Sequence, residues 1–81
     1  MIIRAQFYAQ LRDAAGSSFL DIDVAEGATI GDLLKQIYAK IPVLRAHDKT
    51  ILVGAGLEFV DRYYKLKTGD EISIMPPVQG G

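Results

Sequence analysis

The sequence predicts an α+β domain in which one long helix covers one face of a mixed sheet of four or five strands. Two patterns support this fold class. Apolar residues recur at helical spacing between positions 30 and 41, and shorter segments on both sides alternate apolar and polar residues as half-buried strands do. The chain has 81 residues, of which 49% are hydrophobic. Such a chain can fill one core, so we expect a single domain spanning residues 1–81.

The first elements expected are two strands separated by a short helix. Residues 2–8 alternate, with apolar side chains at the odd positions, and predict a strand. Residues 9–15 predict a short helix that ends at Gly16. Residues 19–24 alternate again and predict a second strand. Because the connection is short, the second strand should pair antiparallel with the first.

The longest helix is predicted between Thr29 and Pro42. Thr29 is a favourable N-cap residue and Asp32 stands three positions later, which is the pattern of a capping box. Pro42 should end the helix because proline cannot continue it. The apolar stripe that should pack on the sheet comprises Ile30, Leu33, Leu34, Ile37, Tyr38 and Ile41.

After the helix the sequence predicts a polar loop and then a strand. Residues 45–49 are mostly polar and contain His47, the only histidine of the chain, so we expect a solvated loop there. Residues 50–54 predict a strand. Gly54 and Gly56 then mark a bend or a β-bulge.

The remaining residues predict a short extended segment, a turn and the last strand. Residues 58–60 form the extended segment, and residues 67–70 form a turn in which Gly69 is suited to a positive φ. Residues 71–75 alternate and predict the last strand. This order of elements is that of the β-grasp, or ubiquitin-like, roll. In that arrangement the first and last strands lie side by side in the middle of the sheet.

The composition argues against several kinds of function. The chain has no cysteine, which excludes a disulfide scaffold, a thiolate metal site and a thiol nucleophile. His47 alone does not supply a histidine metal cage, and no metal site is predicted. The net charge of −1, with acids and bases interspersed, lacks the basic face that nucleic-acid binding needs. The first residues lack the apolar run of a signal peptide or membrane span, so we expect a soluble cytoplasmic protein with no membrane partner.

The C-terminal residues are the most informative for function. Pro76 and Pro77 lack N–H groups, so they should end the last strand and hold the following residues extended. Gly80 and Gly81 have no Cβ atom and could enter a slot that excludes other residues. We therefore expect residues 76–81 to form a flexible tail whose terminal Gly81 carboxylate is the reactive group, roughly 20 Å from Met75 at about 3.3 Å per residue. A frayed terminus without function is the alternative.

The last sixteen residues of the chain, positions 66–81, read LKTGDEISIMPPVQGG. They resemble the closing segment, L-x-x-G-D-E-V-x-x-x-P-P-V-x-G-G, of the small subunit of molybdopterin synthase, the MoaD family. Residues 7–16, FYAQLRDAAG, are similar to its opening, F-A-x-L-R-E-x-x-G. The resemblance spans the whole chain. It departs from the family at residues 53–58, VGAGLE, where the family often has a stretch like V-A-V-N-x-E; Gly56 can supply the positive φ that asparagine would.

The resemblance implies a sulfur carrier that acts inside a heterotetrameric complex and has no activity alone. An adenylyltransferase similar to ubiquitin E1 would adenylate Gly81 with ATP. Sulfur from a sulfurtransferase or desulfurase would then replace AMP and leave a C-terminal thiocarboxylate. The tail would enter the large subunit of molybdopterin synthase, where the sulfur passes to cyclic pyranopterin monophosphate. No permanently bound cofactor is implied.

The strand alternation also predicts a surface for docking partners. Tyr8 and Met75 should lie on the face of the sheet that the helix leaves open, and Phe59 should join them. Aromatic and methionine side chains are favoured at interface cores, so the three predict a docking patch near the root of the tail. Arg12 would be a contact at the rim of this patch or simply a solvated helix charge. The tail residues expected to touch the same partners are Pro76, Pro77, Val78, Gln79 and Gly80.

Three other functions stay open at the level of the sequence. The first is a sulfur carrier for another product, namely thiamine thiazole, thiolated tRNA or cysteine, with the same chemistry at Gly81. The second is a protein modifier that is joined through Gly81 to lysines, as ubiquitin is. The third is a β-grasp interaction module with an inert tail.

Overall fold

The computed structural model describes residues 1–77, and within them the chain forms five strands, two α-helices and one 3₁₀ helix. The strands are β1 (Ile2–Phe7), β2 (Phe19–Asp23), β3 (Leu52–Ala55), β4 (Glu58–Val60) and β5 (Glu71–Met75); the helices are α1 (Gln10–Ala15), α2 (Ile30–Lys40) and the 3₁₀ helix Pro42–His47. The predicted elements are all present; β4 and β5 have the predicted boundaries, and those of the other elements differ by at most two residues.

The five strands form one mixed sheet in the order β2-β1-β5-β3-β4. β1 pairs parallel with β5, and the other neighbours are antiparallel. The first and last strands of the described chain therefore lie side by side at the centre of the sheet, as predicted. Together with α2 on one face, this topology is the β-grasp arrangement.

The core lies between the sheet and α2. In β1 every second side chain is buried, and the register pairs Ala5 with Ile72 and Phe7 with Ile74 across the two central strands. Ala5 and Ile72 are both fully buried. The apolar stripe of α2 packs on this layer: Ile30, Leu33, Leu34, Ile37 and Tyr38 are buried, and Ile41 is partly buried. The predicted stripe is thus confirmed.

α2 begins with the predicted capping box. Thr29 Oγ1 accepts a hydrogen bond from the backbone N–H of Asp32 at 3.3 Å, and Asp32 Oδ2 accepts one from the backbone N–H of Thr29 at 3.0 Å. These bonds satisfy two backbone donors that a helix start leaves without partners. The bond from the Thr29 N–H, and then a bond of 3.1 Å that the Thr29 hydroxyl donates to the same Asp32 oxygen, lower the pKa of Asp32 below its ordinary value. Pro42 follows the helix and opens the next element, so the predicted helix end is also confirmed.

The prediction of a polar loop at residues 45–49 is wrong for its first half. Pro42–His47 forms a 3₁₀ helix that packs against both α1 and α2. The reason is Leu44, which is only 3% exposed and anchors this turn in the core. Pro42 at the start of the turn supplies the fixed φ that a helical first position needs.

The bend or β-bulge predicted at Gly54 and Gly56 is present only at Gly56. Gly54 lies in a regular ladder, paired with Ser73 on one side and Phe59 on the other, so there is no bulge at this residue. Gly56 has φ +61° and begins the two-residue turn that connects β3 to β4. A positive φ at the first turn position suits the twist of a tight hairpin and favours glycine.

A polar network joins α2, the residues after the 3₁₀ helix and the segment after β4. The Tyr38 hydroxyl donates to Asp48 Oδ1 at 2.6 Å, and Arg62 Nη1 donates to the same oxygen at 2.8 Å. A second Arg62 nitrogen donates to the Asp48 carbonyl. The bond from Tyr38, and then that from Arg62, holds the pKa of Asp48 below its ordinary value. Burial, followed by the bond to Asp48, raises the pKa of Tyr38.

This network predicts how stability depends on acid pH. Because the pKa of Asp48 is lower in the folded chain than in the unfolded chain, its stabilising contribution is complete above the unfolded value of about 3.9 and is lost as the pH falls through the lower folded value. The variant Asp48→Asn should be less stable than the parent near neutral pH by less than about 1 kcal/mol, because the ion pair is partly exposed. The difference should shrink as the pH falls, in urea unfolding curves measured from neutral to strongly acid pH.

Asp13→Asn is the matched control, since Asp13 is an exposed carboxylate on α1 that forms no ion pair within residues 1–77. If the parent and Asp48→Asn curves run parallel over the whole range, Asp48 does not act through its charge.

Candidate docking face and tail root

The face of the sheet opposite α2, which we call the open face, carries the predicted docking residues. The register sets one row of side chains across all five strands at this face: Phe19, Gln6, Ser73, Gly54 and Phe59. Phe19 and Phe59 stand at the two ends of the row, and both are exposed, at 40% and 69%. The middle of the row is low, because Ser73 is small and Gly54 has no side chain.

Tyr8 lies at the carboxyl end of β1, directly beside the carboxyl end of β5. Its backbone N–H donates to the Ile74 carbonyl at 3.1 Å, which extends the parallel pairing by one step. Its side chain is 42% exposed, and its hydroxyl donates to Gln6 Oε1 at 2.8 Å along the open face. Since parallel strands end at the same edge of the sheet, Tyr8 and Met75 stand together where the chain leaves β5.

Met75 lies on the open face but is half-buried rather than fully exposed. Its side chain lies over β3 at Gly54. A Cβ atom added to Gly54 would be only 3.4 Å from Met75 Cε. Gly54 thus leaves a shallow depression of about 250 Å³ on the open face. Phe59 and Leu57 line the outer side of this depression, and Leu57 is fully exposed in the turn after β3.

The three predicted patch residues are therefore on one face, but they are not equivalent. Met75 and Phe59 share the depression at Gly54, whereas Tyr8 stands beside Met75 at the edge of the sheet. Their exposure and grouping fit a docking patch, while their role in docking stays a prediction.

The far half of the open face is polar and held by an ion pair. Arg4 Nε lies 2.8 Å from Asp21 Oδ1, and the Arg4 guanidinium carbon lies 3.9 Å from the centre of the Phe19 ring. The hydrogen bond from Arg4 lowers the pKa of Asp21. Both charges are exposed, so the pair contributes little to stability. The Arg4 guanidinium over the Phe19 ring adds a cation–π contact.

Two residues of this face were missed by the sequence reasoning. Phe19 lies two positions before the outward Asp21 on the same strand, so the alternation in the sequence already places it on the outward face. Leu57 is exposed because of the tight turn at Gly56, and no periodic pattern reveals that.

Ala9 has φ 52°, a strained backbone for a residue with a side chain, and turns the chain from Tyr8 into α1. Because positive φ angles are expected at glycine, an alanine in the sequence does not indicate such a turn.

The remaining predicted site residues fall into two groups. Arg12 is exposed on α1, and its side chain forms no ion pair within residues 1–77, so its place at the rim of the patch stays a prediction. Pro76 is half-buried and Pro77 is exposed directly after β5. The predicted contacts Val78, Gln79, Gly80 and Gly81 lie outside the described residues.

The described residues contain no group of three or more metal-ligating side chains that could hold an ion, and no helix among them is long and apolar enough to cross a membrane. The open face of the described chain combines apolar contact area with the Arg4–Asp21 ion pair and the polar side chains of Gln6, Tyr8 and Ser73. This arrangement is suited to binding a partner.

The open face predicts how two substitutions separate in stability. Phe59→Ala should change the free energy of unfolding by less than about 1 kcal/mol, because the ring is mostly exposed. Leu33→Ala, in the fully buried stripe of α2, should cost about 2–5 kcal/mol. Urea unfolding of both variants checks this, and equal losses would mean that Phe59 belongs to the core.

Comparisons with known proteins identify a family that matches this chain and several similar proteins. The ThiS family matches residues 5–81. The molybdopterin synthase sulfur carrier subunit of Chlamydomonas reinhardtii is 37% identical over 83 residues, covering the whole of both chains. Small archaeal modifier protein 1 of Haloferax volcanii is 30% identical over 88 residues, covering 94% of this chain and 97% of that protein.

Solved structures show the same fold. A crystal structure of the H. volcanii small archaeal modifier protein 1 has a TM-score of 0.84 at 26% identity, with 95% of this chain and 98% of that chain covered. A chain in the complex of subunits 1 and 2 of the molybdopterin-converting factor from Helicobacter pylori has a TM-score of 0.72 at 22% identity, with both chains fully covered. The β-grasp core, the strand order and the matched residues together establish that this chain belongs to the ThiS family.

Proposed function

We propose that this protein is the sulfur carrier subunit of a molybdopterin synthase. The observation that supports this best is the position of the tail root. Parallel pairing of β1 with β5 brings Tyr8 and Met75 together at the edge of the sheet, beside the depression at Gly54, and the chain leaves the sheet at this point through Pro76. A partner that docks on the open face therefore lies next to the start of the tail.

The chemistry that we propose takes place at the carboxylate of Gly81. A carboxylate is a poor electrophile, because it is anionic and stabilised by resonance. Attack of a Gly81 oxygen on the α-phosphate of ATP gives an acyl adenylate and releases pyrophosphate. A sulfide-level sulfur donor then attacks the carbonyl carbon, AMP leaves, and the product is a thiocarboxylate. This is the general logic of covalent activation, in which one difficult step is divided into two easier ones.

The tail residues suit a reacting group that must enter two different sites. Pro76 and Pro77 restrict the chain at its root and so reduce the entropy lost when the tail is bound. Gly80 and Gly81 let the backbone approach closely in a narrow channel. The tail cannot occupy an activating enzyme and an acceptor site at the same time. We therefore propose that an E1-like adenylyltransferase and the large subunit use the open face in turn.

The partners that follow from this proposal are a large subunit, an activating enzyme and a sulfur donor. The solved H. pylori complex of subunits 1 and 2, which contains a chain of the same fold, supports the first of them. In the large subunit, the thiocarboxylate sulfur passes to cyclic pyranopterin monophosphate during molybdenum cofactor biosynthesis. Because ATP is consumed only in activation, no permanently bound cofactor is needed. We place these steps in the cytoplasm, where ATP is available.

A protein modifier is the second candidate function, and the 30% identity to small archaeal modifier protein 1 favours it. Adenylation of Gly81 would be common to both functions. They differ in what then attacks the activated carbonyl: sulfur in the carrier, or a lysine amine in the modifier. A carrier for a different sulfur acceptor would share every step up to the thiocarboxylate.

The proposal predicts a defined covalent form of the protein. Incubation with ATP, an E1-like adenylyltransferase and a sulfur donor should replace one oxygen by sulfur, and intact-mass measurement followed by peptide mapping should place the sulfur at Gly81. Sulfur found elsewhere in the chain, or none with several such activating enzymes, would contradict the proposal.

Deletion of Gly81 is the control for this experiment. The deletion should change the stability of the domain by less than about 0.5 kcal/mol, as remote surface changes do. It shifts the carboxylate by about 3.5 Å along an extended chain, and misplacement of that size should abolish product formation. If the shortened protein still supports product formation with the large subunit, then Gly81 is not the group that carries sulfur.

The open face predicts a loss of affinity for the large subunit. Tyr8→Ala and Phe59→Ala should each weaken the complex by roughly 1–3 kcal/mol, the range for interface anchors, in titration calorimetry. Val43→Ala is the matched control, since Val43 is 54% exposed and lies on the 3₁₀ helix, away from the open face. Equal effects of all three substitutions, or none, would show that docking uses another surface.

A further inference from the structure

A groove runs along the outer flank of α2, on the side of the molecule opposite the open face. Four residues of α2 line it at spacings of three and four positions, which is one stripe of a helix: Gly31, Leu34, Lys35 and Tyr38. The stripe covers about 10 Å of helix at 1.5 Å per residue. Arg45 of the 3₁₀ helix, Asp48 and Arg62 close the other side. The groove has a volume of about 370 Å³.

The floor of the groove is apolar, and at Gly31 the backbone of α2 comes close to the backbone of Arg62. The side chains of Leu34 and Tyr38 belong to the edge of the core stripe and supply the floor. Gly31 donates its backbone N–H to the Arg62 carbonyl at 3.0 Å, and a Cβ on Gly31 would lie 3.4 Å from that oxygen. The close approach of these two backbones makes the wall that carries the Arg62 side chain.

The rim of the groove is basic. Three of the nine basic residues of the chain line it, with one of the ten acidic residues, so the groove carries a formal charge of +2 and the rest of the chain −3. Asp48, the single acid, already accepts bonds from Tyr38 and Arg62. Lys35 and Arg45 form no ion pair within residues 1–77. The Arg45 guanidinium lies over the Tyr38 ring, 6.0 Å from its centre, which places its charge at the rim of the groove.

We propose that this groove binds a short acidic segment of a protein partner that also carries an apolar side chain. The apolar floor takes the apolar side chain, and Lys35 and Arg45 pair with carboxylates on either side of it. A length of about 10 Å accommodates about three residues of extended chain at about 3.3 Å each. Such a segment matches both the charge and the apolar floor, whereas a small anion would leave the floor unused.

The groove and the open face lie on opposite sides of the sheet, so both can be occupied at once. The acidic segment therefore adds a contact that neither the tail nor the docking patch supplies. The proposal does not depend on sulfur transfer, and it can fail while the proposed function stands.

The test uses the full chain labelled with ¹⁵N and a capped hexapeptide of alternating glutamate and leucine as the probe. The expected result is that amide signals of Gly31, Lys35 and Arg45 shift with added peptide, while those of Gln6 and Ser73 on the open face do not. Binding should weaken as salt is added, because the rim contacts are exposed charges. No shift in the groove at about 1 mM peptide, a concentration that populates weak complexes, would overturn the proposal.

Charge reversal distinguishes the groove from general attraction. Lys35→Glu and Arg45→Glu should each weaken peptide binding about fivefold or more, the effect of losing one partly exposed charge contact. Lys40→Glu makes the same change on the opposite flank of α2, where residue 40 lies about 180° from the groove at 100° per residue, and should change binding less than about twofold.

A basic hexapeptide and inorganic phosphate test whether binding needs both the acidic and the apolar side chains of the peptide. A hexapeptide with lysine in place of glutamate should not bind, and equal binding would show that only the apolar floor acts. Inorganic phosphate at the same concentration should leave the groove signals unchanged, and the same shifts with phosphate would make this a small-anion site and overturn the peptide proposal. An equal effect of Lys35→Glu and Lys40→Glu would also overturn it.

Discussion

The parallel pairing of β1 with β5 is the constraint on which the rest of this structure depends. Parallel neighbours cannot be joined by a tight turn, so the chain has to cross one face of the sheet between Phe7 and Glu71 before β5 can pair beside β1. The helix α2 makes that crossing and covers one face. Ala5 and Ile72 meet fully buried in the middle of the pairing, which ties the beginning of the chain to its last strand.

The same pairing determines where the functional residues lie. Two parallel strands end at the same edge of the sheet, so the strand pairing alone brings Tyr8 and Met75 together there. One helix can cover only one face of a five-stranded sheet, so the other face remains open. Its charged pair, Arg4 with Asp21, is at the β2 side, and its apolar depression at Gly54 is at the β4 side. The chain thus leaves β5 beside the apolar depression of the open face.

The sequence could predict those parts of the fold that depend on periodic burial. The α2 stripe from Ile30 to Ile41 and the alternation in the strands are read directly from apolar spacing, and the capping box at Thr29 and Asp32 from local chemistry. The order of these elements then leaves the β-grasp as the arrangement that buries them together. The outward positions of Tyr8, Phe59 and Met75 follow from the same alternation.

The parts that could not be predicted depend on contacts between residues far apart in the sequence, or on backbone geometry. Val43 and Leu44 are both apolar, but only Leu44 is buried, and only the packing around it shows why residues 42–47 form a 3₁₀ helix. Gly54 was predicted to interrupt its strand, but it instead makes room for Met75 on the open face. The groove along α2 requires Arg62 to meet Asp48 across 14 positions, and no local pattern indicates that pairing.

The central claim is that Gly81 delivers sulfur while the folded domain positions it. The most direct measurement is a single turnover with isotopically labelled sulfur. The chain is prepared with a labelled thiocarboxylate at Gly81 and mixed, without ATP or activating enzyme, with the large subunit and cyclic pyranopterin monophosphate. The label should appear in the pterin product, and the protein should return with a plain Gly81 carboxylate. Label that stays on the protein, or that is released as sulfide while no labelled pterin forms, would contradict the claim.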